Sequence, residues 1–545
     1  MMRDGGRRAE GGRQRTEGRG QRAVVRHLSS AICLITAAFL FVLPSCKHDS
    51  RYEYQHIKQA YEKPNKPPAV LSTPVQTHPP ETPEKVMKAA GSLTLEKVIL
   101  ISLQNNPDLD MAVARIQQSE AMLDEAISAF WPVIGVYGEY LQGNAPSAYL
   151  FKTIDQRKLP PNTDFNNPGW FENYEVGIQG RWNLFNGGRD YLRKRMAETG
   201  LAVSRLDRET VQNGLVTSVI HAYYSVLAAL KYVDISRDSA KTVKNELGMV
   251  SVRYEAGGAL KSDVLSLKVA LAQSREGLIR ARNNHSLSVS SLANLLGLDP
   301  DTPITLAGEQ QVPIKVPDLY EKALVMAMAN RPELQKSRLQ VVRSRMDLDV
   351  ARSEYLPKLD AQMRTYFDDP GFDFDWDRKN WTAGVILNWD VFTGFRRQSH
   401  VDRARAVIKE MLAGDRKATL MVQLQLKGAY LKYAEAKARW DVSRASVAYS
   451  EESLRLVQKQ YEGGSVTITR YLTAELARNR SRLRATTAFY DREKSAAAIG
   501  RAMGFWGDYE NGGRTAEDGR QKTDDRGRTT DDGGWTVKGL GEWID

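Results

Sequence analysis

The side chains able to do chemistry are few, and their spacing does not suit it. The 545-residue chain has seven His, at His27, His48, His56, His78, His221, His285 and His400, and two Cys, Cys33 and Cys46. None of these falls at a metal-ligand spacing, and no HExxH, CxxC, P-loop or GxSxG sequence occurs. His285 sits on an apolar helical seam, where a packed imidazole is expected rather than a ligand. The fourteen Met are dispersed, which gives no support to copper handling. With no nucleophile paired to a base, the chain is expected to be no enzyme and to use no metal or cofactor. Net charge is +11, but the eight Arg and three acidic residues of positions 1–45 supply +5 of it. The rest is spread thinly, without a basic patch or zinc-finger spacing, so no nucleic-acid partner is expected.

One residue invites covalent modification. Residues 31–43, AICLITAAFLFVL, are thirteen apolar or small residues behind Arg22 and Arg26. That run suits a signal-peptide core and is short for a membrane span, although a retained anchor is the alternative reading. It ends in Leu43-Pro44-Ser45-Cys46, similar to a bacterial lipobox, in which the Cys is diacylated and becomes the first residue. Lys47 follows rather than Asp, which by resemblance to other lipoproteins points to the outer membrane. Residues 46–92 then read as a lipid-anchored linker, with Pro64, Pro67, Pro68, Pro74, Pro79, Pro80 and Pro83 keeping it extended.

From about residue 93 the sequence repeats itself. Asn106-Pro107 recurs as Arg331-Pro332, and Phe130-Trp131-Pro132 as Tyr355-Leu356-Pro357, both at an offset of 225. WNLFNGG at 182–188 recurs as WDVFTGF at 389–395, Tyr254 and Gly257 as Tyr461 and Gly464, and Leu296-Gly297 as Met503-Gly504, all at 207. The offset changes once, so the first copy carries a longer loop, 143–173 against 368–379. Expected domains are a basic extension and leader (1–45), the linker (46–92), repeat 1 (93–300), repeat 2 (301–504) and a disordered, Gly- and Asp-rich tail (505–545).

Two periodicities alternate within each copy. Leu215, Val219, Ala222, Val226, Ala229, Val233, Ser236, Ala240, Val243, Leu247, Val250 and Tyr254 are spaced four and three, a coiled-coil seam. A helix over 187–254 is about 100 Å long. A second seam runs from Leu267 to Leu295. Between helices the period falls to two, over 133–142, 174–184, 358–367 and 380–389. Strands of about ten alternating residues suit a membrane barrel, although a half-buried soluble strand has the same pattern. Aromatic residues at both ends favour the membrane reading: Trp131, Trp182, Phe185, Trp389 and Phe392 on the helix side, Trp170, Phe171, Phe372, Phe374 and Trp376 on the loop side. Four strands cannot close a barrel, and open edges are not tolerated in lipid, so several chains must share one sheet.

Two copies of helix, helix, strand, strand, long helix and helix behind a lipobox resemble the TolC-like outer-membrane efflux proteins. The resemblance covers about residues 93–504 and is sharpest at Arg253-Tyr254-Glu255-Ala256-Gly257 and Ser262-Asp263-Val264-Leu265. It implies an α+β membrane protein: a long α-helical coiled-coil barrel plus a transmembrane β-barrel shared by a homotrimer, with four strands per chain and two internal repeats. It implies an exit duct in the outer membrane, extending into the periplasm and passively passing small molecules for an efflux system. A type I protein secretion duct and a non-pore periplasmic scaffold are the alternatives. The partners it implies are a periplasmic adaptor (membrane fusion) protein, an inner-membrane pump and outer-membrane lipid. The hairpin tips that would meet the adaptor are Tyr254, Gly257, Gly258, Ser262 and Asp263 in the first copy and Tyr461, Gly464 and Ser465 in the second. Gly258 departs from the family's usual apolar residue, and Arg470 stands where Asp is expected.

Overall fold

The computed structural model describes residues 92–310 and 312–507. The leader, Cys46, the Pro-rich linker and residues 508–545 lie outside the described residues. In chain order the elements are α1 (Leu95–Asn105), α2 (Pro107–Ser128), β1 (Val133–Gly143), α3 (Pro146–Asp155), β2 (Phe171–Phe185), α4 (Arg189–Glu255), α5 (Lys261–Leu295), α6 (Tyr320–Asn330), α7 (Pro332–Ser353), β3 (Lys358–Asp369), β4 (Lys379–Asn388), α8 (Arg396–Glu462) and α9 (Ile468–Met503). A 3₁₀ turn, Trp376–Arg378, precedes β4. The described chain forms two units: 127–190 with 353–394, which holds the strands, and 92–126, 191–352 and 395–507, which holds nearly all the helix.

The duplication is visible in the helix lengths. α1 and α6 have 11 residues each, α2 and α7 have 22 each, and α4 and α8 have 67 each, so the two copies are built to one plan. Local signals set the ends. Thr94 caps α1 by accepting from the Lys97 amide at 3.3 Å, and Pro107 and Pro332 open α2 and α7 at the position where a missing N–H costs nothing. α5 and α9 end at Gly297 and Gly504, both left-handed at φ 70° and 77°. A Cβ on Gly297 would lie 2.2 Å from the Asn105 carbonyl oxygen, and one on Gly504 2.7 Å from that of Asn330. Thus each copy presses its last helix against the end of its first by the same contact.

The helical unit buries the seams read from the sequence. Leu215, Val219, Val226, Ala229, Val233, Val243 and Val250 of α4 are buried, as are Leu267, Leu271, Ala281 and Leu292 of α5. One window of α4 is apolar and long enough to cross a membrane, but most of it is buried in this protein. The largest core joins Val98, Ile99, Val216, Ile220, Tyr223, Tyr224, Leu292 and Trp506. Its phenols remain satisfied: Tyr223 donates to the Gly308 carbonyl at 2.8 Å and Tyr490 to Glu309 at 3.0 Å. Trp506 corrects the expected tail boundary. It is fully buried, lies against Gly500, and donates from Nε1 to the Ala497 carbonyl at 3.1 Å. Residues 505–507 therefore belong to the folded body, because an indole two residues past the Gly504 cap reaches back onto α9.

The strand unit is one antiparallel sheet in the order β1-β2-β3-β4. Paired residues share a face, so the register sorts the side chains. Val136↔Ile178, Ile178↔Thr365, Gly180↔Met363, Met363↔Ala383 and Ala361↔Val385 define one face. Glu139↔Glu175, Glu175↔Asp368, Gln179↔Arg364, Arg364↔Thr382 and Tyr366↔Asn380 define the other. The first is mainly apolar, with Gln142, Glu172, Asp369 and Lys379 as exceptions at its loop end, and the second mainly polar, with Val133, Leu141, Phe171 and Ile386 as exceptions. Among the described residues, β1 and β4 each leave an edge without a strand partner.

Candidate functional site

The apolar sheet face is exposed over much of its length: Val136 is 65% exposed, Met363 56%, Trp381 68% and Val385 62%. A soluble protein does not leave a continuous apolar band uncovered, and burial of such a band offers about 25 cal/mol per Å². In lipid the same face costs nothing, while the polar face must line water. The aromatic residues named above at the helix-side ends, Trp131, Trp182, Phe185, Trp389 and Phe392, are all exposed. Two of them are anchored alike. Trp182 Nε1 donates to the Phe130 carbonyl at 3.0 Å, and Trp389 Nε1 to that of Tyr355 at 3.1 Å.

At the other end of the strands the long loop is partly helical, a feature missing from the sequence reading. α3 lies on the polar face. Lys152 bridges Glu175 and Asp368, 3.0 Å from the latter, and both carboxylates are almost wholly buried. Gln156 donates to the Glu172 carbonyl at 2.9 Å and to Asn173 at 2.8 Å. Phe171, expected in the aromatic girdle, is instead buried and meets Tyr149 edge-on at 6.4 Å. It pairs with Gly143 on the polar-face register, so α3 covers it. Trp170 and Trp376 are exposed, and Phe372 packs edge-on against Tyr174.

The two hairpin tips share one geometry. Gly257 and Gly464 are both left-handed at φ 76°. The Gly258 amide donates to the Arg253 carbonyl at 2.7 Å, and the Ser465 amide to that of Gln460 at 2.9 Å. These bonds, six residues to one, satisfy carbonyls that would be orphaned where α4 and α8 stop. Gly257, Gly258, Ser262, Gly464 and Ser465 are exposed, with Leu260 and Tyr254 beside them, while Asp263 is half-buried. Tyr461 differs from its counterpart Tyr254: it stacks on the buried Tyr471 at 5.7 Å, and burial raises its phenol pKa. Both tips rest on one core made of Val243, Val250, Leu267, Leu454, Val457 and Ile468.

Two carboxylates near this core carry no sequence signal. Glu475 is 3% exposed; Oε1 accepts from Arg478 at 2.6 Å and Asn479 at 3.0 Å, while Oε2 is buried without a partner in the described structure. Burial raises its pKa, against the pull of Arg478. Glu246 is buried and likewise raised, chiefly by desolvation. Neither lies on a seam position, so periodicity gives no reason to expect them inside. Among the described residues no three His, Cys, Asp or Glu gather as for a metal ion.

A duplicated helical body with a four-stranded sheet that is apolar on one face and polar on the other defines an outer-membrane channel of the helical-barrel and β-barrel type. The model of the outer membrane efflux protein family matches residues 98–298 and 323–505, and the chain belongs to that family. Its members are channel proteins of the outer membrane, the exit ducts of efflux and export systems. Among curated relatives, Protein CyaE of Bordetella pertussis is 24% identical over 70% of this chain and 78% of its own. The pyoverdine export outer membrane protein OpmQ of Pseudomonas aeruginosa is 23% identical over 71% and 80%. Among solved structures, the outer membrane channel CmeC of Campylobacter jejuni superposes with a TM-score of 0.65 at 15% identity, over 81% of this chain and 94% of that one.

Proposed function

We propose that three copies of this chain close one twelve-stranded barrel and act as the passive outer-membrane exit duct of a tripartite system that exports small molecules. The observation that carries this reading is the sheet: an uncovered apolar face together with two open edges, β1 and β4. Lipid satisfies the face, and neighbouring copies satisfy the edges. Transport then needs only a hydrated lumen, with energy supplied by an inner-membrane pump. The name of the relative OpmQ, a pyoverdine exporter, supports a small-molecule cargo.

Residues 93–300 and 301–504 form the two repeats. The exposed tips at Tyr254, Gly257, Gly258, Ser262 and Asp263, and at Tyr461, Gly464 and Ser465, dock a periplasmic adaptor. Trp131, Trp182, Phe185, Trp389 and Phe392 mark the periplasmic membrane interface, and the β1–β2 and β3–β4 connections face outside the cell. Cys46 carries the lipid anchor, and the Pro-rich linker tethers it to the body.

Purified protein in planar bilayers, with its tips opened by substitution, should give single-channel currents, and native mass spectrometry in detergent should give three chains. A folded protein that remains monomeric and passes no current counts against the duct.

A further inference from the structure

α3 is too firmly held to be a loose loop. Lys152 reaches β2 and β3 at once, Gln156 binds β2, Asn173 donates to Asp368 at 2.7 Å, and Arg157 donates to Asn380 of β4 at 2.9 Å. Every one of these contacts lies on or above the polar face. The opposite side of α3 is apolar and uncovered: Phe151 is 66% exposed and Ile154, one turn on, 43%. Simple geometry says where that side points. Twelve strands about 4.8 Å apart and tilted by about 40° enclose a radius of about 12 Å. A helix seated on the inner face would have its axis about 10 Å from the sheet, closer to the threefold axis than three helices packed about 8–10 Å apart can come, so three of them fill the mouth. Three such helices have no room to avoid one another.

We propose that the α3 helices of three copies meet at the outer mouth, where Phe151 and Ile154 form an apolar constriction that Lys152 holds in place. The proposal rests on the trimeric duct described above. The occupant of each exposed stripe is the same stripe of a second copy, continuous with the barrel closure that joins the β1 and β4 edges. An apolar ring of this kind narrows a pore by excluding water, so it sets how readily small ions pass the outer end. The polar latch beneath it fixes the ring's radius.

The test uses the full-length protein carrying Phe151→Cys; no native cysteine lies in residues 92–507. A short bismaleimide should link F151C chains into covalent dimers, while Val136→Cys, on the apolar outer face, should give none. Gln156→Ala with Lys152→Met in the F151C background should cut the crosslinked fraction severalfold. In bilayers, F151S with I154S should raise single-channel conductance at least twofold, and a charged thiol reagent added to the outer side should reduce the F151C current. Absence of the crosslink together with unchanged conductance overturns the constriction. A parent trimer that conducts nothing strikes instead at the duct, and the crosslink still decides the contact.

Discussion

Trp182 and Trp389, 207 residues apart, make one and the same hydrogen bond: each indole N–H reaches back to the carbonyl two residues before the proline that opens the preceding strand of its repeat. Each bond ties the end of one strand to the helix-to-strand corner beside it, and leaves the ring exposed where an aromatic suits a bilayer interface. Trp→Phe at either site keeps the ring and removes the donor, at about 1 kcal/mol. The protein should unfold at a lower temperature in each single variant, and lower again in the double, with near-additive shifts.

Gly297 and Gly504 should be the least replaceable glycines of the helical body. Each has a left-handed backbone and a carbonyl within 2.7 Å of where a Cβ would stand. Ala there should cost more than about 2 kcal/mol, the left-handed penalty plus a backbone clash. Gly257→Ala, with the same φ but open space around it, should cost only about 1 kcal/mol. Thermal unfolding followed by circular dichroism should rank them in that order; equal losses would refute the packing account.

The tips make the same motif do two things. Tyr254 is exposed and Tyr461 is stacked on Tyr471. Tyr254→Ala should leave the unfolding temperature within a degree or two and reduce adaptor retention. Tyr461→Ala should lower the unfolding temperature by an amount typical of a lost buried aromatic, about 2–3 kcal/mol for a ring only partly covered. Adaptor pull-down and thermal unfolding on the two variants separate the roles.

Stability should fall with rising pH around Glu475. Burial raises its pKa, so the folded state holds the proton more tightly than the unfolded chain. The folded state is therefore favoured most below the ordinary glutamate range, and that advantage is lost as pH rises through the raised value. Glu475→Gln should remove this slope and gain stability at pH 8 relative to the parent. A variant whose pH profile parallels the parent's would show that Arg478 already compensates the charge.

The sequence made the duplication legible because cap, corner and tip residues recur at fixed offsets, and each recurrence proves to be a shared contact: Gly297 with Gly504, Trp182 with Trp389, Gly257 with Gly464. The strands were legible because period two survives wherever one face meets lipid. α3 was not. It is ten residues long, opens on Pro146, and is stabilised by Lys152 meeting carboxylates 23 and 216 residues away, which no local pattern announces. Phe171 carries the pattern of a girdle residue for the same reason, since only the helix above it buries it. Trp506 has no local signal because its partners, Asn213 and Ala497, are reached by a turn after Gly504 rather than by a helical period.

The central claim is that one sheet face meets hydrocarbon and the other water. Single cysteines at consecutive positions of β3 in membranes, treated with a water-soluble maleimide, test it directly. Asp360, Gln362 and Arg364 should label, and Leu359, Ala361, Met363 and Thr365 should resist until the bilayer is dissolved. Labelling that proceeds equally at all seven positions in intact membranes would contradict the account.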